Sequence, residues 1–323
     1  MHPIDSCHLR FSRLLVSGLA LLLTAATSVS AQPPTEKLVV FGTSLSDPGN
    51  AFALVGGTST PPDYLVDPFF LTPNAPYTRG GHHFTNGPTW IEQLARTLRA
   101  NVNAEPAFKG ANPRAMNFAI GTSRAREDGI NPSLALQVST FLQSTGGVAS
   151  PTALHAIEMG SNDVRDALTA GAGAQAVLAS ALTAIRTNVT TLYAAGARRF
   201  LIWNVPNVAL TPAIRALNNP QVSTGATQVT TLFNQGLDGQ ITFLRATLPG
   251  IDIVKLDVFQ LLNAAVANPA AFGFTNVTTP CITPSEAPFF CQKPDAYLFW
   301  DGIHPTAAMH AEVAAFAEMT LTQ

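Results

Sequence analysis

Three residues from the two ends of the chain are of the types that together cleave esters. In FWDGIHPT, Asp301 precedes His304 by three residues. At this spacing a carboxylate in a turn can bond Nδ1 of the imidazole and leave Nε2 free to accept a proton. In KLVVFGTSLSDPGN, Ser44 follows an apolar run and a turn at Gly42, so its hydroxyl is expected beyond the end of a strand. Each fragment alone also fits a structural role, because Asp-Gly turns and serine helix caps are common.

The other histidines are less well placed for acid–base chemistry. They lie in the N-terminal leader, in an apolar strand, in the last helix and side by side in a loop: His2, His8, His155, His310, His82 and His83. The adjacent loop pair is compatible with metal binding, but no carboxylate or third histidine stands at ligand spacing. We therefore expect no metal and no cofactor.

Composition excludes some classes of partner. The chain has 323 residues, a formal net charge of -2 and only 12% charged residues. A nucleic-acid-binding surface needs clustered positive charge, so this class is disfavoured. The 46% hydrophobic content is enough for a large core and suits a protein that meets neutral or amphiphilic small molecules.

The N-terminus has the pattern of a signal peptide. Arg10 and Arg13 precede the apolar run LLVSGLALLLTAA, and the small residues Val29 and Ala31 suit cleavage after Ala31. The alternative is a membrane anchor, but a spanning helix needs about 20 apolar residues and this run is shorter. We expect a signal peptide over 1–31, a single domain over 32–323 without a membrane span, and a secreted or periplasmic protein.

Export also predicts a disulfide. Cys7 lies in the predicted leader, which leaves Cys281 and Cys291 as the remaining cysteines. In an oxidising compartment such a pair is expected to form a bond, whereas a structural zinc site needs four ligands.

Short apolar runs alternate with segments of helical period. The predicted strands are 37–42, 116–121, 154–160, 198–205 and 251–257, and the predicted helices are 90–98, 175–195, 228–248 and 306–320. This alternation predicts an α/β protein with a mainly parallel five-stranded sheet and helices on both faces. Ligands of such sheets bind beyond the carboxyl ends of the strands, where Ser44, Gly121 and Asn162 are expected. The Pro- and Gly-rich stretch 55–85 is predicted to be a long loop over this face.

Four segments resemble the conserved blocks of one enzyme family. FGTSLSDPGN, NFAIGTS, GSNDV and DGIHP occur in the order and approximate spacing of the SGNH hydrolases, also called GDSL esterases and lipases. The resemblance runs from Lys37 to the last helix and implies a flavodoxin-like, three-layer α/β/α sandwich.

The resemblance also assigns roles by position. It implies that Ser44 is the nucleophile, with Asp301 and His304 as the rest of a triad. It implies an oxyanion hole made by the Ser44 N–H, the Gly121 N–H and the Asn162 side-chain amide, because a tetrahedral intermediate needs preorganised donors.

The chain departs from the family pattern at two places. Thr43 stands where the family has Asp, and Thr122 and Ser123 follow Gly121 where Gly-Ala is usual. A hydroxyl has less acceptor capacity than a carboxylate, so the shape of the nucleophile turn is open to change. Asp47 and Asp163 lie near the site, and we expect them to cap helices or tie loops.

The expected function is hydrolysis of carboxylic esters through an acyl-enzyme, by a protein that is expected to be a monomer. The substrate is a small-molecule or lipid ester of unspecified chain length. A lipid acyltransferase or phospholipase of the same family is an alternative. A degenerate module that only binds lipid or carbohydrate is a second alternative, from a different class.

Overall fold

Parallel strands form the sheet that carries the candidate site. The computed structural model describes residues 38–54, 82–110, 112–282 and 291–322. The strands of its central sheet are β1 (Leu38–Gly42), β2 (Leu154–Glu158), β3 (Arg199–Trp203) and β4 (Asp252–Leu256). They pair in parallel in the order β1-β2-β3-β4. Each lies inside a range that the sequence predicts.

The remaining predicted strand, 116–121, lies beside β1 without forming a regular strand. The Phe118 N–H donates to the Val40 carbonyl at 2.8 Å, and the Ile120 N–H donates to the Gly42 carbonyl at 3.1 Å. In the part of the chain that the structure describes, the sheet thus has four regular strands and this edge segment, where the sequence predicts five strands.

Helices connect the strands. They are α1 (Asn50–Leu54), α2 (Trp90–Thr97), α3 (Leu134–Ser144), α4 (Ser161–Thr169), α5 (Ala174–Ala194), α6 (Pro212–Ala216), α7 (Pro220–Thr247), α8 (Val258–Ala267) and α9 (Ala307–Leu321). The predicted helices correspond to α2, α5, α7 and α9. Helix α7 begins earlier than predicted, because Asn219 accepts from two N–H groups of its first turn and Pro220 stands at its first position. Two further strands, β5 (Asn276–Pro280) and β6 (Tyr297–Phe299), form a small parallel sheet of their own.

Alternate residues of β1 face two separate hydrophobic cores. Val39 and Phe41 pack in a core with residues of α3, α5 and α7. Leu38 and Val40 pack in a second core with residues of α2, α8 and α9. Side chains of a strand alternate between its faces, so the sheet is covered on both sides. The protein is a three-layer α/β/α sandwich, and the predicted fold class is confirmed.

Some sequence-based predictions lie outside the described residues. These are the signal peptide over 1–31, most of the predicted loop over 55–85, and the middle of the loop between the two cysteines. Within the described residues, we find no helix of the length and apolar character that crossing a membrane requires.

Candidate active site

A chain of hydrogen bonds joins the three residues predicted to be catalytic. His304 Nε2 lies 2.8 Å from Ser44 Oγ, and His304 Nδ1 lies 2.7 Å from Asp301 Oδ2. All three residues are buried, and His304 is only 1% exposed. The fold thus brings together residues that are 260 positions apart in the chain. This arrangement suits a hydroxyl that attacks, an imidazole that takes its proton, and a carboxylate that orients the imidazole.

The Asp301 carboxylate also builds the turn that holds His304. Its Oδ1 accepts from the N–H of Ile303 at 2.8 Å and from the N–H of His304 at 2.7 Å. Its Oδ2 is left for the imidazole. The Trp300 N–H closes the turn by donating to the His304 carbonyl at 2.8 Å. One side chain therefore both shapes the turn and orients the ring.

The nucleophile turn is held by residues from other elements. The Thr43 N–H donates to Glu158 Oε2 at 2.8 Å, and the Thr43 hydroxyl lies 2.9 Å from both Glu158 oxygens. The Ser46 hydroxyl donates to the same carboxyl group at 3.2 Å. The Gly42 N–H donates to the side chain of Gln137 at 2.9 Å. The backbone on both sides of Ser44 is thereby fixed.

Glu158 is a functional candidate that the sequence did not reveal. It is the last residue of β2 and is fully buried, and this burial raises the pKa of its carboxyl group to about 8. A Cβ at Gly42 would stand 2.9 Å from Glu158 Oε2, which leaves room only for glycine there. The available signal was a single acidic residue in the apolar run LHAIE.

Asn162 is oriented by two neighbours. Its Nδ2 donates to the Ser123 carbonyl at 2.9 Å, and its Oδ1 accepts from Arg165 at 3.3 Å. This places the amide nitrogen as a donor at the start of α4, in the wall of the cleft that contains Ser44. One amide hydrogen is engaged with Ser123, and the second is available to a substrate oxygen.

The predicted donor Gly121 is already engaged. Its N–H donates to Asp47 Oδ2 at 2.7 Å, so in this structure it does not offer a hydrogen to a substrate. The position still needs glycine, because a Cβ there would overlap the ring of Phe84. The next amide belongs to Thr122, whose φ of 67° is unusual for a residue with a side chain. Among the residues that the structure describes, the N–H groups of Ser44 and Thr122 have no hydrogen-bond acceptor.

The two aspartates near the site tie loops, as the sequence predicts. Asp47 accepts from the N–H groups of Gly49 at 2.7 Å and Asn50 at 2.6 Å, and burial raises its pKa. Asp163 accepts from the Ala125 N–H at 2.8 Å, and burial raises its pKa to about 6.

The remaining described histidines have structural surroundings. Burial lowers the pKa of His155 to about 4 and that of His310 to about 3. His82 stacks on Phe52 with ring centroids 3.6 Å apart, and His83 Nε2 lies 2.9 Å from Glu92. Among the described residues no three potential ligands cluster to hold a metal ion.

The cleft in front of Ser44 is mainly apolar. It contains about 570 Å³ of atom-free space, including its open mouth. Its polar lining includes Ser44, Asn162, Arg165 and His304. Its apolar walls include Leu168, Pro206, Val208, Ile214 and Ile303.

A disulfide lies behind the His304 turn. Cys281 and Cys291 are bonded, with their Cα atoms 4.9 Å apart. The Cys281 N–H donates to the Phe299 carbonyl at 2.9 Å, and the Ile282 N–H donates to the Trp300 carbonyl at 2.9 Å. The bridge therefore supports the segment that leads into Asp301.

Comparison with a family model accounts for nearly all of this architecture. The model named GDSL-like Lipase/Acylhydrolase matches residues 38–316, which include the Ser44 turn and the Asp301–His304 turn. The chain belongs to this family. It is a hydrolase of the SGNH type, as its sequence motifs predicted.

Curated relatives include plant esterases from Arabidopsis thaliana. GDSL esterase/lipase At1g29660 is 24% identical over 93% of this chain and 91% of its own length. GDSL esterase/lipase LIP-4 is 25% identical over 94% of this chain and 91% of its own length. A Parabacteroides merdae protein, whose crystal structure is described as that of a GDSL-like lipase, matches with a TM-score of 0.43 and 11% identity over 89% of this chain and 96% of that chain. A structural similarity of this size adds nothing to the family assignment.

Proposed function

We propose that this protein is a carboxylester hydrolase that works through an acyl-enzyme on Ser44. The observation that carries the proposal is the unbroken hydrogen-bond chain from Ser44 through His304 to Asp301, whose first two members line an apolar cleft. The family membership supports the same chemistry.

In the first half-reaction Ser44 Oγ attacks the ester carbonyl while His304 Nε2 takes the hydroxyl proton. The tetrahedral intermediate collapses, the bond to the alcohol oxygen breaks, and His304 returns the proton to the leaving alcohol. In the second half-reaction His304 deprotonates a water molecule, which attacks the acyl-enzyme and releases the carboxylic acid. Asp301 keeps the imidazole in the required tautomer and stabilises its protonated form.

The proposed oxyanion donors are those that the family resemblance implies: the Ser44 N–H, the Gly121 N–H and the Asn162 Nδ2. The Gly121 N–H donates to Asp47 in this structure, so this bond must break before Gly121 can donate to a substrate oxygen. A crystal structure of a phosphonate adduct on Ser44 tests this directly. The phosphoryl oxygen is expected within hydrogen-bond distance of Gly121 N, whereas an intact bond from Gly121 N to Asp47 in the adduct would remove Gly121 from the oxyanion hole.

Labelling with a fluorophosphonate tests the function itself. The wild-type protein should be labelled on Ser44 and should cleave p-nitrophenyl esters, and Ser44→Ala should do neither. A folded wild-type protein that is neither labelled nor active would contradict the proposal and favour the binding-module alternative. A labelled protein that transfers acyl groups to an added alcohol in preference to water would favour the acyltransferase alternative.

The proposal includes export and a monomeric state. Export is supported by the leader pattern over 1–31 and by the Cys281–Cys291 bridge, which is stable in oxidising compartments. N-terminal sequencing of protein recovered from periplasm and medium should find Gln32 first, and gel filtration should give the mass of one chain.

A further inference from the structure

A second apolar cavity lies next to the active-site cleft. It contains about 460 Å³ of atom-free space, including its opening. We call it the inner cavity. Its lining comes from the end of β3, from β6 and from helices α8 and α9, and includes Trp203, Val258, Leu262, Leu298, Met309 and Val313.

The inner cavity and the cleft share part of their walls. Leu45, Pro206, Thr211 and Ile303 line both spaces. Leu45 directly follows Ser44, and Ile303 directly precedes His304. The common wall therefore stands beside the nucleophile and its base, next to the place where the ester carbonyl of a substrate must sit.

The chemistry of the inner cavity suits hydrocarbon. None of its lining residues is Asp, Glu, Lys or Arg. The titratable group in the lining is His310, whose Nδ1 accepts from the Trp90 N–H at 3.2 Å. Burial lowers the pKa of this imidazole to about 3, so it is uncharged at neutral pH. Ligand sites of this kind favour apolar groups, because few polar groups are available to hold water.

We propose that the inner cavity receives the distal part of the acyl chain of a medium- or long-chain ester. The chain enters from the cleft past Leu45 and Ile303 while its carbonyl carbon lies at Ser44. The inference rests on the proposed esterase function and adds the substrate class to it.

Chain length should then control the rate. Each methylene removed from water contributes about fourfold in affinity. Four additional methylenes, from butyrate to octanoate, would favour the longer ester in kcat/KM by at most on the order of a hundredfold. The wild-type protein should therefore prefer p-nitrophenyl octanoate to p-nitrophenyl acetate and butyrate.

Filling the cavity tests the inference. Leu262→Trp on α8 and Val313→Phe on α9 place bulk into the inner cavity from two different helices. Leu232→Trp is a matched control, because Leu232 lies on α7 and is 59% exposed. The measured quantity is the ratio of kcat/KM for octanoate to that for acetate. We expect this ratio to fall at least tenfold in both filled variants and to stay at the wild-type value in the control. If the Leu262→Trp protein does not fold, Leu262→Phe takes its place.

The outcomes separate this inference from the function on which it rests. If Ser44 is labelled but the ratio is unchanged in the filled variants, or if the wild-type protein does not prefer octanoate, only the inner-cavity inference is wrong. If the filled variants discriminate against octyl acetate instead of octanoate esters, the cavity binds the alcohol and the inference is overturned. If the folded wild-type protein is neither labelled nor active, the esterase proposal fails with it.

Discussion

The two turns that carry the candidate catalytic residues are stabilised in opposite ways. The turn around His304 is local, because Asp301 bonds the backbone of residues two and three positions later. The turn around Ser44 depends on distant residues, because Glu158 and Gln137 reach it from 115 and 95 positions away. The side chain that supports a local turn can be recognised in a sequence, whereas the remote carboxyl and amide groups that support the Ser44 turn cannot.

The same difference predicts how each turn responds to substitution. In the His304 turn one carboxylate serves both geometry and chemistry, so its replacement affects both. In the Ser44 turn these tasks are divided, because Ser44 reacts while Thr43 and Glu158 hold the backbone. Substitutions at Thr43 and Glu158 should therefore be coupled to each other.

The largest effect is expected where the two turns meet. Ser44→Ala and His304→Ala should each lower kcat by about 10⁴-fold or more, because each removes an essential partner in one proton transfer. The double variant should be scarcely worse than either single variant. Steady-state kinetics on a p-nitrophenyl ester measure this. If the two losses multiply, the residues do not act as one unit.

Asp301→Asn tests the local turn. Its Oδ1 can still accept from the backbone N–H groups, but its amide nitrogen would face His304 Nδ1 and favour the wrong tautomer. We expect kcat to fall by roughly 10³–10⁴-fold with the melting temperature nearly unchanged. Asp301→Ala should lower both, since the turn loses its acceptor. Equal melting temperatures for the two variants would contradict the structural half of this role.

Thr43→Asp tests the remote support of the Ser44 turn. The new carboxyl group would lie beside the buried Glu158 carboxyl, and two such groups cannot both ionise. We expect kcat to fall roughly tenfold to a hundredfold at pH 8, with a smaller loss at pH 6. Adding Glu158→Gln should restore most of the activity, because one charge is removed. Full activity of Thr43→Asp at every pH would show that Glu158 does not constrain this turn.

Removing the disulfide should have a smaller effect. Closure of this short loop stabilises the fold by at most about 3 kcal/mol. The combined substitutions Cys281→Ser and Cys291→Ser should also lower kcat several-fold, because the bridge supports the strand beside Phe299 and Trp300. The single substitution Cys7→Ser, in the predicted leader, is the matched control. Two reactive thiols in denatured, oxidatively purified wild-type protein would show that the bridge is absent.

The smallest effect concerns stability rather than rate. Burial raises the pKa of Glu158 to about 8 from an ordinary 4.5, so its contribution to stability is fully present below pH 4.5 and is lost as pH rises through about 8. Glu158→Gln does not titrate, and Asp163 is common to both proteins. The melting temperature of Glu158→Gln should therefore rise relative to wild type by several degrees between pH 5 and pH 8. A constant difference across this range would contradict the raised pKa.

The sequence predicted most of the architecture because local patterns determine it. Alternation of apolar runs with helical segments predicted β1 to β4 and four of the helices. It did not predict α1, α3, α4, α6 or α8, and it overestimated the segment 116–121, which exchanges only a few backbone bonds with β1. Propensity and period indicate which segments are extended, but pairing partners decide whether they form regular strands.

The sequence by itself also determined the residue types of the candidate site: a serine after a strand, and an aspartate three residues before a histidine. Only the tertiary structure decided what surrounds them. It paired Thr43 with Glu158, directed the Gly121 N–H to Asp47 across 74 positions, and opened the inner cavity beside Leu45 and Ile303. These features depend on atoms that are distant in the chain and meet only when the sheet and its two helical layers have packed together.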